Sequence, residues 1–131
     1  MNAPASRAQL RAQINADLQA LERALVARIR GEVRFDTGSR ALYASDASNY
    51  RQVPLGVVLP RNADDMIAAL EVCRHFDVPL LMRGGGTSQN GQCVNVAVII
   101  DTSKYMNRVL DIDARARTAL VEPGEIGRAH V

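Results

Sequence analysis

Three glycines in a row, Gly84-Gly85-Gly86, stand between Arg83 and the hydroxyl pair Thr87-Ser88, with Gly91 and Gln92 a few residues on. A short apolar run, Val78 to Met82, leads into them. Glycine tolerates positive φ and lets the backbone approach another group closely, so successive N–H groups can turn toward one anion. An apolar strand feeding such a loop is a cradle for a phosphate or diphosphate. A nucleotide-type ligand is therefore the leading reading of these residues.

Two widespread phosphate loops do not fit them. A G-x-G-x-x-G fingerprint starting at Gly84 needs glycine where Gln89 stands, and a helix where Val94 to Ile100 reads as strand. The Walker spacing from Gly86 to Gly91 is correct, but Gln92 and Cys93 replace the Lys and Ser/Thr that touch phosphate and Mg²⁺. What remains is an anion cradle built strand–loop–strand.

The elements around the loop are legible from periodicity. Leu10, Ile14, Leu18, Leu21, Leu25 and Ile29 recur at helical steps, so Ser6 to Arg30 predicts a helix with Ser6 as its cap and Gly31 at C′. It is either an arm packed on its own protein or a short coiled coil. Glu32 to Gln52 is polar and turn-rich, tacked down by Phe35, Tyr43 and Tyr50. Gly56 to Leu59 is a buried strand stopped by Pro60, and Asn62 caps a helix with Asp64 and Asp65 in its first turn. On that helix Ile67, Leu70 and Cys73 read as the apolar stripe, and Asp77 ends it. Val78 to Met82 is a second strand, Val94 to Ile100 a third buried on both faces, and Val109–Ile112 with Thr118–Val121 a hairpin bending at Asp113 to Ala116. The order is an α+β layout with one crossover unit.

Composition narrows the function classes. A net charge of +2 with scattered arginines and 4% aromatics argues against nucleic acid, which needs a basic face or stacking rings. No run is long enough to span a bilayer and no apolar signal stretch opens the chain, so the cytoplasm is the expected compartment. Cys73 and Cys93 have no metal spacing and no use for a disulfide there; Cys73 is expected to be buried in its helix. Asp101 reads as the cap of the Thr102–Lys104 turn, Arg51 as a surface arginine or a carboxylate clamp alongside Tyr50, and His75 as solvent-facing.

In sequence order, Leu59-Pro60, the Asn62-capped helix, Val78-Pro79, RGGGTSQNGQ from Arg83 to Gln92, the Val/Ile strand with Asp101, and Val121-Glu122-Pro123-Gly124 resemble one family. It is the FAD-linked oxidases, whose FAD-binding domain is of the vanillyl-alcohol-oxidase or PCMH type. The nearest resemblance is to glycolate oxidase large subunits, D-lactate dehydrogenases and D-2-hydroxyglutarate dehydrogenases. The RGGGTS…GQC stretch and Ser48-Asn49-Tyr50-Arg51 are most similar to the large 2-hydroxyacid dehydrogenases with an added iron–sulfur region. The resemblance runs from about Gly38 to Gly124.

It implies an N-terminal helical arm over residues 1–37, then residues 38–124 as the first, truncated subdomain of a PCMH-type domain: a small mixed sheet with a crossover helix. Gly84, Gly85, Gly86, Thr87 and Ser88 would line the FAD diphosphate, Gly91 and Gln92 would continue toward the flavin, and Pro60 would lie by the adenine or simply stop its strand. Arg83 would add positive charge near the diphosphate or bridge loop carbonyls. No catalytic residue and no metal ligand is implied within this stretch. The substrate would be a small 2-hydroxy acid, with electrons passing to a quinone, a cytochrome or an iron–sulfur partner. Residues 125–131 match the translation of a common sequencing adapter, are expected to be non-native, and leave His130 without a role. A different class remains open: a small non-catalytic anion- or nucleotide-binding module.

Overall fold

The Val, Leu and Ile runs pair into one sheet in the computed structural model, which describes residues 6–126. Strands β1 (Glu32–Arg34), β2 (Gly56–Leu59), β3 (Leu80–Arg83) and β4 (Val98–Asp101) lie in the order β1-β2-β4-β3. β4 is parallel to both β2 and β3, and β1 is antiparallel to β2. Helix α1 (Arg7–Arg28) precedes β1, α2 (Thr37–Leu42) joins β1 to β2, and α3 (Ala63–His75) forms the crossover from β2 to β3. A separate hairpin, β5 (Val109–Asp113) and β6 (Thr118–Val121), follows.

Alternation along the buried strands sorts the core into two layers. Val58, Val98 and Ile100 point to one face, where Leu21, Leu25 and Ile29 of the α1 segment and Ala68, Ala69, Val72 and Cys73 of α3 cover them. Val57, Leu59 and Ile99 point to the other, where Tyr43 and the half-buried Tyr105 close over them. Full burial of side chains this size contributes about 1.5–3 kcal/mol each. Burial also pushes the Cys73 thiol up to about 11, and neither cysteine is in a disulfide.

The first helix packs on the body as an arm. Its capping box pairs Ser6 with Gln9, and Leu21, Leu25 and Ile29 are buried, while Ile14 is exposed and the side chain of Leu10 lies outside the described residues. Gly31 is not its C′ residue. The helix ends at an extended Ile29, and Gly31 is needed because a Cβ there would sit 2.0 Å from the Leu59 carbonyl oxygen. The chain then enters β1, so the segment read as arm, residues 1–37, contains a strand of the main sheet. Within the stretch read as polar and turn-rich, Asp36 caps the short helix α2 by accepting from the Ser39 amide.

The stripe of α3 is rotated from the expected one. Ala68, Ala69, Val72 and Cys73 are buried, whereas Ile67 and Leu70 are 55% and 57% exposed. Those two line an apolar groove with Met66, Leu80, Met82 and Ile100, beside the edge strand β3. Small residues face the sheet because they let the helix sit close; the larger ones are left at the uncovered edge. The hairpin is exposed throughout, including Val109, Leu110, Ile112, Leu120 and Val121.

Two polar devices fasten the ends of the sheet. Asp65, 3% exposed, accepts from the Arg30, Gly31 and Arg61 amides at 2.9 Å each, tying the α1–β1 junction to the start of α3. Glu32 of β1 accepts from Lys104, Tyr105 and Arg34, which hold its carboxyl down at about 2.

Removing the Asp65 carboxylate strands three amides, so Asp65→Ala should cost about 2–4 kcal/mol in urea unfolding. Because the Glu32 carboxyl is depressed on folding, its contribution is complete above pH 4.5 and fades as pH falls toward about 2. Glu32→Gln should lose about 1 kcal/mol at neutral pH and show a shallower loss of melting temperature across that acid window.

Candidate functional site

Parallel pairing brings the carboxyl ends of β2, β3 and β4 to one edge of the sheet, which is where open α/β sheets bind ligands. Arg83 is level with Asp101 in the register, and the chain leaves β3 there directly into the glycine loop. Pro60 ends β2 on the same edge, buried, with β4 between it and Arg83. Two strand spacings put it about 10 Å across the sheet from the loop. It precedes the N-terminus of α3, which is already served: Asn62 accepts from the Asp65 amide, and Asp64 and Asp65 put carboxylates in the first turn. A phosphate has no place there, and the edge offers the loop instead.

Among the described residues, no backbone amide from Gly84 through Gln89 donates to a protein acceptor, and neither does that of Gly91. The ladder stops at Arg83, whose carbonyl takes the Thr102 amide. Gly84 and Gly85 border a cleft of about 220 Å³ with Leu42, Tyr43, Arg83, Asp101 and Ser103.

The three glycines are there for different reasons. Gly86 has φ +68°, a left-handed conformation, and a Cβ on it would stand 2.5 Å from Arg83 Nη2. Gly84 and Gly85 have neither constraint: a Cβ on Gly84 meets nothing within 4 Å, and one on Gly85 only the Thr87 methyl at 3.6 Å. The fold itself would accept side chains at both. What bare backbone provides there is open room above unpaired amides. Gly91, at φ +72°, packs under the Tyr50 ring, whose Cδ2 lies 2.7 Å from where a Cβ would be.

Other residues brace the loop. Arg83 donates from Nη1 to the Cys93 carbonyl at 3.1 Å and from Nη2 to the Ser45 carbonyl at 2.9 Å, and lies 5.1 Å over the Tyr43 ring. Those two carbonyls stand at the far end of the loop and in the segment before the Asp46–Ser48 turn. The Asp46 carboxylate accepts from the Ser48 amide and hydroxyl and from the Cys93 amide, and the Ser48 hydroxyl first among these holds it below the usual carboxylate range. The Ala47 amide donates to the Gly86 carbonyl at 3.0 Å. Inside the loop, Ser88 Oγ accepts from the Asn90 and Gln92 amides and donates to Gln92 Oε1. Its hydroxyl thus shapes the turn, while Thr87, also in the loop, is exposed with its hydroxyl unengaged.

Asp101 is buried and caps its turn by accepting from the Ser103 amide and hydroxyl. It also takes the Tyr43 hydroxyl proton donation, and burial, reinforced by that bond, drives the Tyr43 phenol well above its ordinary range. Arg51 and His75 are exposed, the latter edge-on to Phe76. Sequence reasoning did not find Tyr43 or Asp46 as supports of the loop, since both lie about 40 residues upstream and only the fold brings them to it. Among the described residues no three His, Cys, Asp or Glu side chains gather as for a metal ion, and no helix is long and apolar enough to cross a membrane.

Residues 54–129 match the family described as FAD binding domain, and the chain belongs to that family. It is 34% identical over 100 residues to D-2-hydroxyglutarate dehydrogenase of Pseudomonas putida, covering 74% of this chain and 10% of the relative. To glycolate oxidase subunit GlcD of Bacillus subtilis it is 35% identical over 102 residues, 75% of this chain and 22% of the relative. The chain therefore spans a tenth to about a fifth of these relatives' lengths. Its fold is that of PCMH-type flavoenzymes: p-cresol methylhydroxylase superposes with a TM-score of 0.67 at 19% identity, over 84% of this chain and 23% of that one. The 4-ethylphenol oxidase of Gulosibacter chungangensis gives 0.66 at 21%, over 83% and 22%.

The loop suits the diphosphate of FAD on its own chemistry. It offers unpaired amides, it has no carboxylate between Arg83 and Val94, and its two unconstrained glycines leave space. The division among the glycines is open to measurement. Gly86→Ala should lower stability by about 1–2 kcal/mol in denaturant unfolding, the cost of a left-handed L-residue. Gly84→Ala should stay within about 0.5 kcal/mol of the parent.

Proposed function

We propose that this chain supplies the diphosphate-holding part of the FAD site in an oxidoreductase that converts a small D-2-hydroxy acid, of the glycolate, D-lactate or D-2-hydroxyglutarate kind, to its 2-oxo acid. The observation that carries the reading is the run of amides from Gly84 to Gln89 without protein acceptors, at the carboxyl edge of a sheet in an FAD binding domain. The relatives' names supply the substrate class: D-2-hydroxyglutarate dehydrogenase, glycolate oxidase subunit and, in Kluyveromyces lactis, D-lactate dehydrogenase.

In this reading the amides of Gly84, Gly85, Gly86, Thr87 and Ser88 donate to the diphosphate, with the Thr87 hydroxyl beside them. Each such bond to a charged acceptor is worth about 1.5–3 kcal/mol. Gly91 and Gln92 extend the loop toward the flavin, and Pro60 walls the adenine end. When bound, FAD supplies the hydride acceptor for oxidation at C2 of the hydroxy acid. Base, substrate-carboxylate clamp and the route to a quinone, cytochrome or iron–sulfur acceptor belong to the rest of the intact enzyme. The exposed apolar hairpin supports that division, because a lone two-stranded ribbon is marginal without a surface to cover it. We place the enzyme in the cytoplasm, in keeping with its two free cysteines.

Calorimetric titration of the chain with FAD, ADP and pyrophosphate tests this. FAD should bind best, yet more weakly than about 1 μM, since only part of the cofactor is surrounded. Gly84→Ala should weaken it about tenfold with the melting temperature unchanged. Equal affinity for all three ligands would instead mark a plain anion module, and binding of none would remove the cradle altogether.

A further inference from the structure

We propose that Arg83 is the positioning residue of the cradle: its planar fork holds the loop in the shape that leaves the amides free, and it makes no contact with the phosphates itself. This rests on reading the loop as the FAD diphosphate site. The Arg83 side chain leaves the end of β3 and donates to two carbonyls far apart in sequence, Ser45 before the Asp46–Ser48 turn and Cys93 at the far end of the loop. One group therefore pins the loop's exit and the neighbouring turn to the strand from which the loop departs.

The fork is confined on its other sides. The Tyr43 ring lies 5.1 Å away, and that ring is fixed in turn by its hydroxyl bond to Asp101 at the end of β4. The Gly86 backbone comes so close that no Cβ fits beside Nη2, and the left-handed turn at Gly86 is what brings it there. The same turn aims the Gly86 carbonyl at the Ala47 amide. Asp46 closes the circuit by accepting from the Cys93 amide, next to the carbonyl that Arg83 holds. Of the loop's own carbonyls, that of Gly86 is taken by Ala47 and that of Gly91 by Val94, while Arg83 holds the Cys93 carbonyl at its far end.

A lysine keeps the charge but cannot reach both carbonyls, because an ammonium on a flexible stem lacks the rigid fork. Charge alone and geometry therefore make different predictions. If Arg83 positions the loop, Arg83→Lys should bind pyrophosphate and FAD about tenfold more weakly than the parent, as poorly as Arg83→Gln. By amide NMR, both variants should lose the ligand-induced shifts of Gly84 to Ser88 while the resonances of Leu21, Val72 and Ile99 stay in place. Rescue of parental affinity by Arg83→Lys overturns the proposal.

A second measurement needs no variant. In the parent chain, added pyrophosphate should shift the amide resonances of Gly84 to Ser88 and leave the Arg83 guanidinium N–H resonances where they were. Guanidinium shifts as large as those of the amides would make Arg83 a direct phosphate contact and overturn the positioning role alone. Silence from both sets of resonances, at millimolar FAD as well as pyrophosphate, would overturn the cradle and this proposal with it.

Discussion

Backbone hydrogen bonding is an accounting that each residue must settle, with a strand neighbour, a side chain, water or a ligand. In this chain β2 and β4 are paired on both sides and the edge strand β3 on one, and the ladder stops at Arg83, where a run of N–H groups emerges with no partner among the described residues. The stop occurs at the carboxyl edge of parallel strands, so the unpaired donors lie where the sheet opens onto solvent. Everything distinctive about the site follows from that interruption. Extending the ladder by a few residues would leave the fold intact and remove the site.

The rest of the molecule is arranged so that the interruption keeps its place. β4 is buried on both faces and sandwiched between β2 and β3, which fixes the level at which Arg83 and Asp101 lie side by side. The α1 arm and α3 close one face, and Asp65 locks the arm's exit to the start of α3 through three amides. Tyr43 closes the other face and reaches the site from beneath through Asp101. A residue of the core is thereby also a wall of the cleft. Repacking that face and reshaping the cleft are one event.

How legible was this in the sequence? The buried strands, the Asn62 cap and the glycine loop follow from local chemistry: apolar runs, an Asx side chain before a helix, and the residue type that most readily adopts φ +68°. The face of α3 was misread because Ile67 and Leu70 look like core by hydropathy. The burial of Ala68 and Ala69 is decided by how closely a helix must approach the sheet, which no residue announces locally. β1 was missed for a similar reason, since Glu32-Val33-Arg34 is polar and becomes strand by pairing with β2. The glycine triplet itself was read as one unit, yet only Gly86 has a conformational requirement; Gly84 and Gly85 differ from it in a way visible only when a Cβ is placed on each. That Arg83 donates to the carbonyls of Ser45 and Cys93 was likewise not legible, because only the fold brings those two carbonyls to it.

The local charge balance shows where affinity for an anion must originate. Beside the loop stand one guanidinium and two carboxylates, so the surroundings are not a basic pocket. Asp46 is held ionised by its donors, chiefly the Ser48 hydroxyl, and Asp101 accepts from Tyr43 and twice from Ser103. Each carboxylate thus directs its oxygens into the protein, toward groups that need an acceptor. Arg83 likewise spends two of its donors inward. With the one guanidinium and both carboxylates committed inward, what the loop itself has left for an anion is its N–H donors from Gly84 to Gln89, with open space at Gly84 and Gly85. Dipoles act over short range and strict directions, so such a site selects an anion by fit against the backbone more than by charge at a distance. On the proposed reading, a chain of net charge +2 with scattered arginines would hold a doubly charged bridge through its backbone rather than through a basic pocket.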